Sequence, residues 1–180
     1  MDEKAFWDFV NEKYHDCIKS VKSISYDDKN HVYLSELENK CICFDDIVKL
    51  LYGGERVLSP DALFFYNGAL VFVEFKNGKL FEKSGEKDRL KLKLKVVEGT
   101  ILGVQKVLRE ADLDMPLPNV MALKRRLIVV YNSEKAQCNV QSLHHHMESK
   151  CHLARYERKY IDEVIFVEEK KFDNKFAEII

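Results

Sequence analysis

Three polar residues inside an otherwise apolar stretch carry the first chemical signal. The segment Ser59-Pro60-Asp61-Ala62-Leu63-Phe64-Phe65-Tyr66-Asn67-Gly68-Ala69-Leu70-Val71-Phe72-Val73-Glu74-Phe75-Lys76 places Asp61, Glu74 and Lys76 among aliphatic and aromatic side chains. Asn67-Gly68 is the strongest short hairpin signal, because both turn residues must accept positive φ. With Tyr66 opposite Ala69, Asp61 falls opposite Glu74, and Lys76 shares the face of Glu74 because strand side chains alternate. Opposed positions bring Cβ atoms within about 4.5–5.5 Å, where like charges repel. Two carboxylates at the edge of an apolar core push a pKa upward unless a cation lies between them. Lys76 supplies one positive charge, and a divalent metal would supply the rest. Two hard oxygen ligands with open positions suit Mg²⁺ or Mn²⁺, with water and phosphate oxygens completing the shell. The competing reading of the same residues is a structural ion pair at a strand end.

Positioning those residues requires a covered sheet. Leu63, Phe65, Leu70 and Phe72 share the face of the three polar groups, while Ala62, Phe64, Tyr66, Ala69, Val71, Val73 and Phe75 occupy the other. Strands apolar on both sides are central and flanked by helices. Strand-like runs fall at 57–66, 69–76, 124–131 and 162–168. Residues 3–22 space Phe6, Phe9, Val10, Tyr14, Cys17 and Val21 as one amphipathic helix, with Trp7 as a further packing residue. A shorter helix over 45–52 has an acidic start and is stopped by Gly53-Gly54. In 86–110, Leu90, Leu92 and Leu94 alternate with lysines as in a strand. The stripe Leu90, Leu94, Val97, Ile101, Val104 and Leu108 nevertheless persists for five turns, and predicts a helix. The polar stretch 133–159 reads as largely helical.

Composition narrows the setting. The formal net charge of -1 excludes a polybasic protein that would hold nucleic acid by bulk charge. That neutrality is uneven: residues 1–55 hold 12 acidic and 7 basic side chains, whereas 76–95 hold 8 basic and 3 acidic. The only concentrated positive charge therefore follows Glu74 directly. No apolar run approaches the ~18 residues of a membrane span, and the acidic start leads into no apolar signal core. Five cysteines without framework spacing suggest reduced thiols and a cytoplasmic location. His144-His145-His146, with Cys151 and His152 nearby, lacks a CxxC partner, and adjacent histidines fan out by about 100° on a helix. These residues, like Cys41 and Cys43, are read as non-ligating.

Pro60-Asp61, twelve intervening residues and then Glu74-Phe75-Lys76 resemble the PD-(D/E)XK nuclease superfamily. Its members include type II restriction endonucleases, Holliday-junction resolvases and small bacterial and phage nucleases. The resemblance covers about residues 45–131 and implies an α/β domain with a restriction-endonuclease-like core, a mixed central sheet flanked by helices. Residues 1–180 then form one domain, with an N-terminal helix over 3–22 and a C-terminal extension over 133–180. By position, Asp61 and Glu74 would be metal ligands, joined by the backbone carbonyl of Phe75, and Lys76 would position or activate the attacking water. Many members add an acid from the preceding helix, for which Glu36, Glu38, Asp45 and Asp46 are candidates. Lys79, Lys91, Lys93 and Lys95 would contact a phosphate backbone without reading sequence. The implied activity is metal-dependent hydrolysis of nucleic-acid phosphodiesters, with DNA the expected substrate, 5′-phosphates the usual product, and a homodimer an option. The alternative is a non-catalytic protein-binding module on the same fold, such as a toxin-immunity protein.

Overall fold

The computed structural model describes residues 1–53, 55–78, 80, 85–113, 116–136, 153–157 and 159–176. The order of elements is α1 (Glu3–Lys13), β1 (Ile18–Ser20), α2 (Val21–Ile24), β2 (Tyr26–Asp27), β3 (Val32–Tyr33), β4 (Lys40–Cys43) and α3 (Phe44–Tyr52). There follow β5 (Ala62–Tyr66), β6 (Ala69–Lys76), α4 (Glu86–Val97), a π-helical segment (Glu98–Gly103), α5 (Val104–Glu110) and α6 (Leu117–Ala122). The chain continues through β7 (Arg125–Tyr131), α7 (Ser133–Ala136), β8 (Glu163–Glu168) and α8 (Glu169–Phe176). Six strands form one mixed sheet in the order β1-β4-β5-β6-β7-β8, and β2 and β3 form a separate ribbon. The pairs β4–β5 and β5–β6 are antiparallel, whereas β6–β7 and β7–β8 are parallel.

The β5–β6 hairpin has the register its turn residues dictate. Asn67 and Gly68 adopt φ of 48° and 68°, and pairing runs from Tyr66↔Ala69 to Ala62↔Val73. Its two faces enter two separate cores. Leu63, Leu70 and Phe72 join Phe6, Val10, Phe44, Ile47, Leu92, Val96, Val104 and Leu108 on one side. Ala62, Phe64, Val71 and Val73 join Val21, Ile128, Val130, Phe172 and Phe176 on the other. At the sheet border, Val164 N–H donates to the Glu157 carboxylate at 2.8 Å.

Three elements differ from expectation. The first helix ends at Lys13, and a 3-10 turn, strand β1 and the short helix α2 replace its second half. Phe6, Val10, Tyr14 and Cys17 pack in the first core but Val21 packs in the second, on the opposite face of the sheet, which one straight helix could not serve. Residues 57–61 are not strand; Glu98 Oε2 accepts from Leu58 N–H at 2.9 Å and Asp45 Oδ1 from Ser59 Oγ at 2.6 Å, which hold this stretch as a loop. The 86–110 helix is present, but Leu90 and Leu94 are exposed, and Leu92 and Val96 are buried in their place. The wider π turn shifts the phase, so the expected stripe holds at Ile101, Val104 and Leu108 and fails before them. Of the stretch 133–159, residues 133–136 are helical and 153–155 form a 3-10 turn, whereas 137–152 and 158 lie outside the described residues.

The π turn carries a close approach of backbones. A Cβ on Gly99 would lie 2.4 Å from Pro60 Cδ and 2.7 Å from Ser59 Cα, so only glycine lets this helix meet the Pro-Asp loop. Gly99→Ala is expected to lower stability by about 1–3 kcal/mol in urea unfolding, as overpacking of a tight site does. Gly68→Ala, which meets no atom within 4 Å, would be penalised only through its positive φ.

Candidate active site

Asp61 stands one residue before β5 and is fixed by its own backbone. Its N–H donates to Val73 O at 2.9 Å, and its carbonyl accepts from Phe44 N–H at 3.0 Å. Pro60 has no N–H to offer the ladder. Beyond Ala62↔Val73 the ladder closes on a side chain: Asp61 Oδ2 accepts from Phe75 N–H at 2.7 Å. The remaining oxygen, Oδ1, points to the space shared with Glu74.

Glu74 and Lys76 lie at the carboxyl end of β6, beside the parallel strand β7. Open α/β sheets bind ligands outside the carboxyl ends of such strands. Glu74 is 1 % exposed, and both of its oxygens are engaged. Lys76 Nζ lies 2.7 Å from Oε1, and Lys95 Nζ lies 2.6 Å from Oε2. Lys95 also reaches Asp61 Oδ1 at 3.2 Å. Two carboxylates and two ammonium groups thus form one charge-balanced cluster, with Lys95 between the acids. The sequence-predicted trio is brought together on one face of the sheet, as its register requires.

Lys95 is the site residue that sequence reasoning misplaced, since it appeared there only as a surface phosphate contact. Its signal was its position between Leu92 and Val96, both fully buried, which puts it on the inward side of α4. It lies one turn before Gly99, so the face that meets Pro60 also delivers the ammonium to Asp61. Lys91 and Lys93 are not brought to the cluster. Lys91 lies 3.9 Å from Asp88 on its own helix, Lys93 is half-buried, and Lys79 falls outside the described residues.

The candidate fourth acids point elsewhere. Glu36 and Glu38 pair with Lys22, Asp46 with Lys19, and Asp45 with Lys49 and Ser59. Among the described residues, no group of three or more histidine, cysteine, aspartate or glutamate side chains assembles into a cation site. A divalent ion would therefore rest on Asp61 and Glu74, with backbone oxygen and water. Their hard, facing oxygens fit Mg²⁺ in donor type, provided Lys95 yields its place between them. Cys41 and Cys43 are buried free thiols, each pushed up to about 12 by burial, which keeps them protonated. His144, His145, His146, Cys151 and His152 lie outside the described residues.

A cavity of about 190 Å³ borders Asp61 and is lined also by Ser25, Tyr26, Asp27, Phe75 and Asn77. Asn77 donates to Asp27 Oδ2 at 2.8 Å and accepts from Asn132 Nδ2 at 2.9 Å. Asn132 N–H in turn donates to Lys76 O at 3.1 Å, tying the end of β6 to this network. Sequence reasoning missed these residues, although Asn77 directly follows the motif lysine. A separate cavity of about 140 Å³ at the turn end of the hairpin, lined by Trp7, Lys40, Phe64, Phe65, Tyr66, Val71 and Phe176, has no carboxylate among its described lining residues.

The two acids titrate in opposite directions. Burial, then the charge of Glu74, pushes Asp61 up to about 6, against the pull of Lys95 and Lys76. Burial acts the same way on Glu74 but is outweighed by Lys76 and Lys95, which hold it below the usual glutamate range. Burial would lower Lys95, but Asp61 and Glu74 outweigh it and hold its ammonium above the ordinary lysine value. No protein-family model matches the chain, and no curated protein or solved structure matches it either.

A raised folded-state pKa makes ionised Asp61 a cost, so its contribution to stability is full below about pH 4 and is lost as pH rises through about 6. Asp61→Asn is expected to flatten that decline and to raise stability at pH 7.5 by about 1–3 kcal/mol. Urea unfolding between pH 4 and 8 measures both. A large loss of stability instead would identify Asp61 as a structural ion-pair partner.

Proposed function

We propose that this chain is a metal-dependent nuclease of the PD-(D/E)XK type with a restriction-endonuclease-like core, hydrolysing nucleic-acid phosphodiesters, with DNA the expected substrate. The observation that carries the reading is the convergence of two carboxylates from facing hairpin arms, with two lysines, at the carboxyl end of a parallel strand. The resemblance implies a helix, three strands, a helix and a strand; β4, β5, β6, the α4–α5 connection and β7 supply the last five in that order, but α3 falls between β4 and β5 instead of before the strands.

In this reading Asp61 and Glu74 hold the ion, aided by the Phe75 carbonyl. A bound Mg²⁺ supplies Lewis acidity to the phosphodiester and lowers the pKa of water. Lys76, held by Glu74 Oε1, offers its ammonium to charge growing on a phosphate oxygen and orients the attacking water. The hydrogen bond from Phe75 N–H keeps Asp61 from rotating away, so the donor geometry is set before substrate arrives.

One observation favours the second reading, a protein-binding module such as a toxin-immunity protein. Each acid of the cluster is already paired with an ammonium, so the cluster is electrically complete without an ion. A cleavage assay separates the two. Supercoiled plasmid and single-stranded DNA are expected to be cut with Mg²⁺ or Mn²⁺ and spared with chelator. Asp61→Ala, Glu74→Ala and Lys76→Ala are expected to lower the rate by about 10²-fold or more with folding retained. Inertness of the wild type in every condition, with tight binding to a protein toxin, would establish the module instead.

A further inference from the structure

We propose that Lys95 is an internal counter-cation that holds the place between Asp61 and Glu74 and is displaced when a divalent ion binds there. The inference rests on the metal reading above and adds a residue that competes with the metal. Its argument is positional. Lys95 Nζ lies 2.6 Å from Glu74 Oε2 and 3.2 Å from Asp61 Oδ1, so one ammonium spans the two acids. Lys76 pairs with the other oxygen of Glu74, and can remain there while Lys95 leaves.

The two lysines differ in how they are held. Lys76 projects from β6, beside the cluster, on the same strand as Glu74. Lys95 reaches in from α4, a separate element, on a four-carbon stem that is 13 % exposed. A flexible ammonium on a neighbouring element can retract without moving either acid. Two oxygens that would repel each other are thereby kept facing before an ion arrives. Lys95 is a positioning residue in this scheme, and a competitor for the ion.

Mn²⁺ binding to the full chain, measured by calorimetry, tests the proposal. Lys95→Met and Lys95→Gln are expected to bind Mn²⁺ about tenfold more tightly than wild type, because the ion no longer displaces two charged hydrogen bonds. Glu74→Gln is expected to abolish binding. In wild type, Mn²⁺ is expected to accelerate amine labelling of Lys95 several-fold by mass spectrometry, with exposed Lys4 unchanged as the internal control. A merely structural lysine would give weaker binding when removed. Unchanged or weaker affinity in the Lys95 variants, with binding still lost in Glu74→Gln, would overturn the displacement and leave the metal reading standing. Absence of Mn²⁺ binding to every form would overturn both. Should the variants fail to fold, unchanged labelling of Lys95 at saturating Mn²⁺ overturns the proposal alone.

Discussion

Two carboxylates enclosed by apolar strands demand positive charge, and much of this structure is arranged to deliver it. The hairpin brings Asp61 and Glu74 to one place through the Asn67-Gly68 turn, which leaves no freedom to slide by one residue without reversing every side chain. One cation comes from the same strand and the other from the helix that follows it. Glu74 touches both ammonium groups and stays ionised, whereas Asp61 touches one and bears the repulsion. The asymmetry arises from which element each lysine occupies. Buried ion clusters of this kind add little net stability, because desolvation offsets most of the attraction. Their cost is the reason to look for a use.

The helix must be held near for its lysine to reach. Gly99 admits Pro60 at a distance no other residue would allow, and Glu98 takes the N–H of Leu58. Asp45 on α3 takes the hydroxyl of Ser59. These contacts fasten the loop before Asp61 from two helices at once. Arg125 secures the other end of the crossover. It is buried, with its guanidinium on the carbonyls of Thr100, Met121 and Leu123. The π segment lies between the loop and the arginine, so its irregular winding is pinned at both sides.

Several of these relations were legible in the residues alone. A two-residue turn fixes register, and alternating side chains then assign faces; the hairpin and its two apolar surfaces followed from that without tertiary information. The flanking of the sheet by helices followed from strands apolar on both sides, and its mixed character from the resemblance. The phase of α4 was illegible for a physical reason. Its leucines and lysines alternate, so helical spacing alone admitted more than one inward face, and the π turn displaced the stripe by a residue midway. Lysine is ordinarily solvated, which concealed Lys95 until its neighbours Leu92 and Val96 were seen to be buried. The end of α1 was hidden likewise, because Val21 continued the spacing while belonging to the opposite core. The bonds of Asp27, Asn77 and Asn132 join segments far apart in the chain, which no local pattern encodes.

The borders of the large sheet are guarded. Strand β1 is only three residues long, and Lys19 on it is drawn to Asp46. At the opposite border Glu157 spends its carboxylate on the amide of Val164, and Arg126 and Glu163 pair at 3.3 Å. An amide satisfied by a side chain no longer templates an incoming strand, and a short charged rim offers little length to zip. Copies of this chain are thereby discouraged from fusing border to border into a continuous ribbon.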